Sequence, residues 1–282
     1  MPLPADILGI LFALTSAAVW GSGDFTGGQA TRKSSQYAVL VLSAFSGLAV
    51  LVIATLVSRE HLPSLPSVGW ATLSGASGAL GIAAFYRALS RGPNVVIAPI
   101  TAVIGAALTV VFGAIALGLP SPAQMAGFGL AFAGIWLVSS AKADGMSVSR
   151  EGWLLTVLAG MGFGGFFIFM GQVETGKVFT PLICARSMTL CTGLLLLLFN
   201  RQRLPAPLLS PLALLAGVLD AGGNLFYILA RQYTRLDIAA VLSSLYPLST
   251  VILASLILKE KVTRGQWLGV LACLGAIALI TV

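Results

Sequence analysis

Ten apolar runs, each long enough to cross a bilayer as a helix, follow one another along this 282-residue chain with only short polar breaks between them. A hydrocarbon core of roughly 30 Å takes about 20 residues of helix. Runs near 7–27, 36–57, 67–89, 94–117, 122–140, 151–171, 180–199, 210–233, 237–258 and 263–281 meet that length. The longest polar break, Lys142 to Arg150, leaves no room for a folded soluble domain. In lipid the backbone must satisfy its own hydrogen bonds, which a helix does within one segment. The expected fold is therefore an all-α membrane protein. Only 9% of the residues are charged, against about a quarter in soluble domains.

The net charge of +7 does not indicate nucleic acid as a partner, because the basic residues are dispersed among loops at the ends of the runs rather than clustered. With ten spans, Arg32, Lys33, Arg91, Lys142, Arg150, Arg201, Arg203, Lys259, Lys261 and Arg264 share one side. The side of the termini holds Arg59, Lys177, Arg231 and Arg235. The positive-inside rule then places both termini outside the cytoplasm. The N-terminus has neither a basic n-region nor a small-residue cleavage pattern, so the first run reads as a retained span. Cys184, Cys191 and Cys273 lie within apolar runs without metal or redox spacing.

The runs divide into two sets of five, 1–141 and 151–282, joined by a linker at 142–150. Phe85 and Tyr86 recur as Phe226 and Tyr227 at a separation of 141 (226 − 85), and Thr109 and Val110 recur as Thr250 and Val251 at the same separation. Gln124 and Gly127 recur as Gln266 and Gly269 one residue further on. Three matches in one order indicate an internal duplication. An odd number of spans per copy sets the copies in opposite orientations. The expectation is ten transmembrane helices as two inverted-topology five-helix repeats, a design common in secondary transporters.

The segments LSSLYPLSTVILASLILKEKVTRGQWLGVLACLGAIAL, residues 242–279, and FYRALSRGPNVVIAPITAVIGA, residues 85–106, resemble the drug/metabolite transporter superfamily and its EamA-type members. Trp20-Gly21 in the first run resembles the opening block of that family. The resemblance implies a central cavity, alternating access, and export or exchange of a small organic solute. It also implies a multi-pass protein of the bacterial inner membrane, a monomer or a homodimer. The family's usual cytoplasmic termini conflict with the charge count, which leaves the orientation open. Glu260 matches the family's acid after the penultimate span, whereas the first half reads Leu117-Gly118-Leu119-Pro120-Ser121-Pro122 and has no acid there. Glu260 is read as a structural residue at the start of the last helix.

Polar groups within spans are the default functional candidates in a membrane protein. Asp220 falls near the middle of the eighth span, with Asn224 and Tyr227 on the same helical face and Gly222 and Gly223 leaving room for close approach. This cluster is the leading candidate for solute binding. The rival reading is an interhelical hydrogen-bond cluster or an ion pair with Arg186. In the first span, Ser16, Trp20, Asp24 and Gly27 share a stripe, and Asp24 is a candidate for proton coupling or gating together with Asp220. The bland reading of Asp24 is an interfacial carboxylate facing Arg32 or Lys33. Tyr86, the repeat partner of Tyr227, and Tyr246 complete the substrate-binding candidates, with Phe163 and Phe166 as further aromatic lining. Pro99 and Pro247 are candidate kinks.

No catalytic constellation, metal-ligand spacing or Walker-type segment stands out: the single histidine, His61, lies in a loop beside Glu60. No enzyme activity, metal or cofactor is expected. The expected partners are a small organic solute, the lipid bilayer and protons. A gradient or solute exchange would supply the energy. A receptor or adaptor, and a channel-like facilitator, are the rival readings.

Overall fold

The computed structural model describes residues 4–89, 91, 94–139, 148–204, 210–259 and 262–281, without the side chains of residues 86, 89, 94 and 95. The described residues form helices α1 (Ala5–Thr31), α2 (Gln36–Ser58), α3 (Leu65–Leu89), α4 (Asn94–Leu117), α5 (Pro122–Ser139), α6 (Arg150–Met170), α7 (Phe179–Phe199), α8 (Pro211–Tyr233), α9 (Leu236–Ser243), α10 (Tyr246–Ile257) and α11 (Arg264–Ile280). Among the described residues nine stretches are long and apolar enough to span a membrane, α9 and α10 counting as one, and α11 is a shorter apolar helix. Glu260 and most of the 142–150 linker lie outside the described residues.

The expected single span at 237–258 is broken between α9 and α10, ahead of the kink anticipated at Pro247. Pro247 falls in the first turn of α10, where a missing N–H costs nothing because no carbonyl precedes it in the helix. The turn at Ser244–Leu245 takes the interruption instead. Pro99 lies inside an uninterrupted α4.

Side chains fix several helix starts. Ser35 and Ser149 accept from Ala38 N and Gly152 N at the heads of α2 and α6. Ser121 and Gln124 exchange hydrogen bonds at the head of α5, and Thr263 and Gln266 do the same at the head of α11. The repeated glutamines of the two halves are thus the third residues of equivalent capping boxes.

Packing follows the duplication. α1 lies on α8 and α3 on α6; α4 lies on α6, and α9 and α10 on α1; α3 lies on α7 and α2 on α8. α2 pairs with its equivalent α7, and α5 with its equivalent α11. Exchanging the halves maps this set of contacts onto itself. Hydrogen bonds place the α2–α3 and α6–α7 loops together on one face, here the Glu60 face. The α3–α4 loop and the start of α6 meet on the other, the Glu151 face. Equivalent loops of the two halves therefore lie on opposite faces, which fits two inverted repeats.

Lipid is as apolar as leucine, so helices in a bilayer associate through close packing of small residues. Ala13, Ala106, Ala131, Ala159, Ala230, Ala239 and Ala276 are completely buried between helices. Large residues such as Leu56, Ile115, Leu198 and Leu256 point outward, each at least 70% exposed.

Candidate functional site

The centre of the site is an ion pair between two helices of the second half, α7 and α8, which pack against α2 of the first. Arg186 Nη1 on α7 bonds Asp220 Oδ2 on α8. By helical rise Arg186 is about 6 Å deeper than Asp220 from the Glu151 face, a difference its long side chain spans. The guanidinium also donates to Ser43 O at 3.2 Å and Gly217 O at 3.3 Å. Gly47 makes this possible, since a Cβ there would stand 2.9 Å from Arg186 Nε and Nη2. Arg186 is 11% exposed and Asp220 40%. The arginine is thus enclosed, and the carboxylate is open on one side. Asn224 Nδ2 donates to Asp220 O at 2.6 Å and to its Oδ2 at 3.3 Å, holding the acid in place.

Asp24 on α1 is exposed, although its electrostatic neighbours, Asp220 and Tyr246, belong to the packed helices beside it. Gly23 brings this turn of α1 against Asp220 and Leu219. Among the described residues Asp24 makes no ion pair, so the anticipated partners Arg32 and Lys33 do not engage it. Two carboxylates and one guanidinium therefore share this region. Such groups within a bilayer demand a partner, a proton or water.

Tyr227 faces elsewhere. It is completely buried, its hydroxyl donates to Phe167 O at 2.9 Å, and its ring stacks on Trp20 at 6.1 Å. Trp20 meets Phe167 edge-on at 5.8 Å. Two turns separate Tyr227 from Asp220, which carries its ring about 10 Å further toward the Glu60 face. Gly223 admits the Trp20 indole, because a side chain there would overlap the ring. In this conformation Trp20 and Tyr227 belong to an aromatic block below the ion pair, not to an open pocket. Tyr246 is half-buried beside the same core. Tyr86 lies in α3, its side chain outside the described residues. Phe163 packs on Phe85 at 6.1 Å.

Phe166, Leu182, Arg186, Thr189 and Asn224 line a cavity of about 30 Å³, enough for water but far below the several hundred Å³ of sites for drug-sized ligands. Polar side chains tie α1 to α8 and α10: Ser16 Oγ donates to Gly223 O at 2.8 Å and Thr250 Oγ1 to Gly21 O at 3.0 Å.

Sequence reasoning sets Glu60 aside as a loop residue. Its carboxylate accepts from Val178 N at 2.9 Å, Phe179 N at 3.2 Å and Thr180 N at 2.8 Å, capping α7 from across the protein. Burial opposes ionisation of Glu60, but these bonds outweigh it and hold the carboxyl below its usual range. Nothing in the local sequence marks this role, because the cap and the helix are about 120 residues apart.

An apolar helical bundle of two equivalent halves, with a paired charge where they meet, defines a polytopic membrane protein. The EamA-like transporter family matches twice, over residues 7–140 and 150–282. The chain belongs to that family, which comprises transporters rather than enzymes. It is 41% identical over 63 residues to an uncharacterized solute carrier family 35 member of Schizosaccharomyces pombe; the match covers 22% of this chain and 12% of that protein. A solved crystal structure of a protein shares the fold, with a TM-score of 0.74 at 18% identity, covering 96% of this chain and 95% of the other.

Proposed function

We propose that the protein is a secondary active transporter that exports or exchanges a small organic metabolite or drug by alternating access, in the bacterial inner membrane that the family resemblance implies. The observation that carries this reading is the Arg186–Asp220 pair, held by Asn224 beside a water-sized cavity between membrane-spanning helices. The halves pack through contacts that exchange with one another, so the same interfaces can form with either half leading, as alternating access requires.

In this mechanism solute approaches from the Glu151 face and meets Asp24 and Asp220. A polar group of the solute competes with Arg186 for Asp220, and Asn224 orients the carboxylate. The aromatic block of Trp20, Phe167 and Tyr227 then separates from Tyr246 and α10, and the solute passes. Protons compete for Asp24 and Asp220 and couple solute movement to a proton gradient. Tyr227 joins the wall only when the block opens, and its repeat partner Tyr86 is the matching substrate-binding candidate.

A thermal-shift screen of amino acids, drugs and nucleotide derivatives identifies a ligand, because binding to the folded state raises apparent stability. Proteoliposomes then report flux. Saturable counterflow that depends on pH supports the reading, and Asp220→Asn and Asp24→Asn should lower it. Full pH-dependent flux in both variants removes the coupling role. Flux that neither saturates nor exchanges identifies a channel.

A further inference from the structure

We propose that the α2–α3 loop is a latch that holds the Glu60 face shut, with Glu60 as its pin and as the positioning residue for α7. This rests on the transport reading for its consequence, but its geometry stands independently. Six hydrogen bonds join this loop and the start of α3, in the first half, to residues 174–180, in the second. Three run from the α7 backbone to Glu60. Lys177 Nζ donates to His61 O at 2.9 Å. Ser64 N donates to Glu174 Oε1 at 3.2 Å, and Glu174 N to Ser67 Oγ at 3.1 Å.

Helix α7 has no side-chain cap of its own at Val178, so its first turn depends on a carboxylate supplied by the other half. A charged acceptor at a helix N-terminus also meets the positive end of the helix dipole. Two turns further along the same helix lies Arg186, so the latch sets the depth at which the guanidinium meets Asp220. Among the described residues the opposite face has no equivalent cluster. Gln266 Nε2 donates to Val138 O at 3.1 Å there, and the ties of Arg87 and Arg91 to Glu151 are between 44% and 65% exposed, where pairs hold weakly. For solute to leave through the Glu60 face the halves must part here, which frees three α7 N–H groups at once. The latch is therefore an all-or-none closure.

The test uses a background in which Cys184, Cys191 and Cys273 are replaced, with Leu182→Cys in the cavity wall as reporter. A membrane-impermeant maleimide is applied to each face of sealed proteoliposomes. Glu60→Ala should speed labelling from the Glu60 face about tenfold or more, the factor that one lost charge-assisted bond yields, with Glu60→Gln in between. A folded Glu60→Ala protein labelled at the parental rate overturns the latch. A second arm keeps Glu60: His61→Cys with Lys177→Cys, bridged by a short bis-methanethiosulfonate from which each thiolate displaces methanesulfinate, should suppress labelling from that face, and unchanged labelling overturns the proposal. Labelling needs no solute. A protein that moves none of the screened solutes thus counts against transport while the labelling still decides the latch.

Discussion

Replacing Asp220 by Asn leaves Arg186 charged and 11% exposed, with only the Ser43 and Gly217 carbonyls to compensate it. Removing one partner from a fully buried pair costs about 3–5 kcal/mol, and a hydrogen bond to a charged group contributes about 1.5–3 kcal/mol. Asp220 is itself 40% exposed, so water already screens part of the pair. The expected cost is therefore about 2 kcal/mol, or a fall in melting temperature of roughly 5 °C at this chain length. The assay is a thermal melt of purified protein in detergent for Asp220→Asn, Arg186→Met and the double variant. With the arginine gone, the neutral amide at position 220 strands no charge, so the double variant should be no less stable than Asp220→Asn alone. The refuting result is additivity: a coupling energy below about 0.5 kcal/mol, the scatter seen for independent sites, would mean that the guanidinium does not depend on this carboxylate.

Glu60 has a lowered folded-state pKa, so its stabilisation is complete above the usual carboxyl value of 4.5 and is lost as pH falls through the lower folded value; melts of wild type and Glu60→Gln should differ by a constant amount at neutral pH and converge only in acid. Gly223→Ala sets a Cβ inside the Trp20 indole, and overpacking of about 1–3 kcal/mol should lower the melting temperature and shift tryptophan emission. Glu151→Gln breaks the ties to Arg87 and Arg91, whose exposed geometry predicts a change within about 0.5 kcal/mol.

Apolar run length placed the helix ends within about two residues, except that α1 runs four residues beyond its expected end at 27, because a bilayer dictates helix length and forbids unpaired backbone. The recurrence of Phe85-Tyr86 and of Gln124 announced the duplication, and the capping boxes at Gln124 and Gln266 show why the glutamines persist. The break at Ser244–Leu245 was not legible, since Pro247 marks a helix start as readily as a kink. Helical periodicity placed Asp220, Asn224 and Tyr227 on one face, yet periodicity says nothing of depth. Tertiary packing put Tyr227 against Phe167 and left Asp220 to Arg186. Rise counting separates Asp220 from Arg186, and only the reach of the arginine past Gly47 closes the gap. Glu60 shows the same limit from the other direction: a carboxylate in a short loop has no local signature, and the helix it caps is chosen by the packing of the two halves. The sequence by itself determined the apolar spans and the kinship of the two halves, the spans being local consequences of lipid as a solvent. The tertiary structure alone decided which charges meet, because that depends on the depth and facing of helices far apart in the chain.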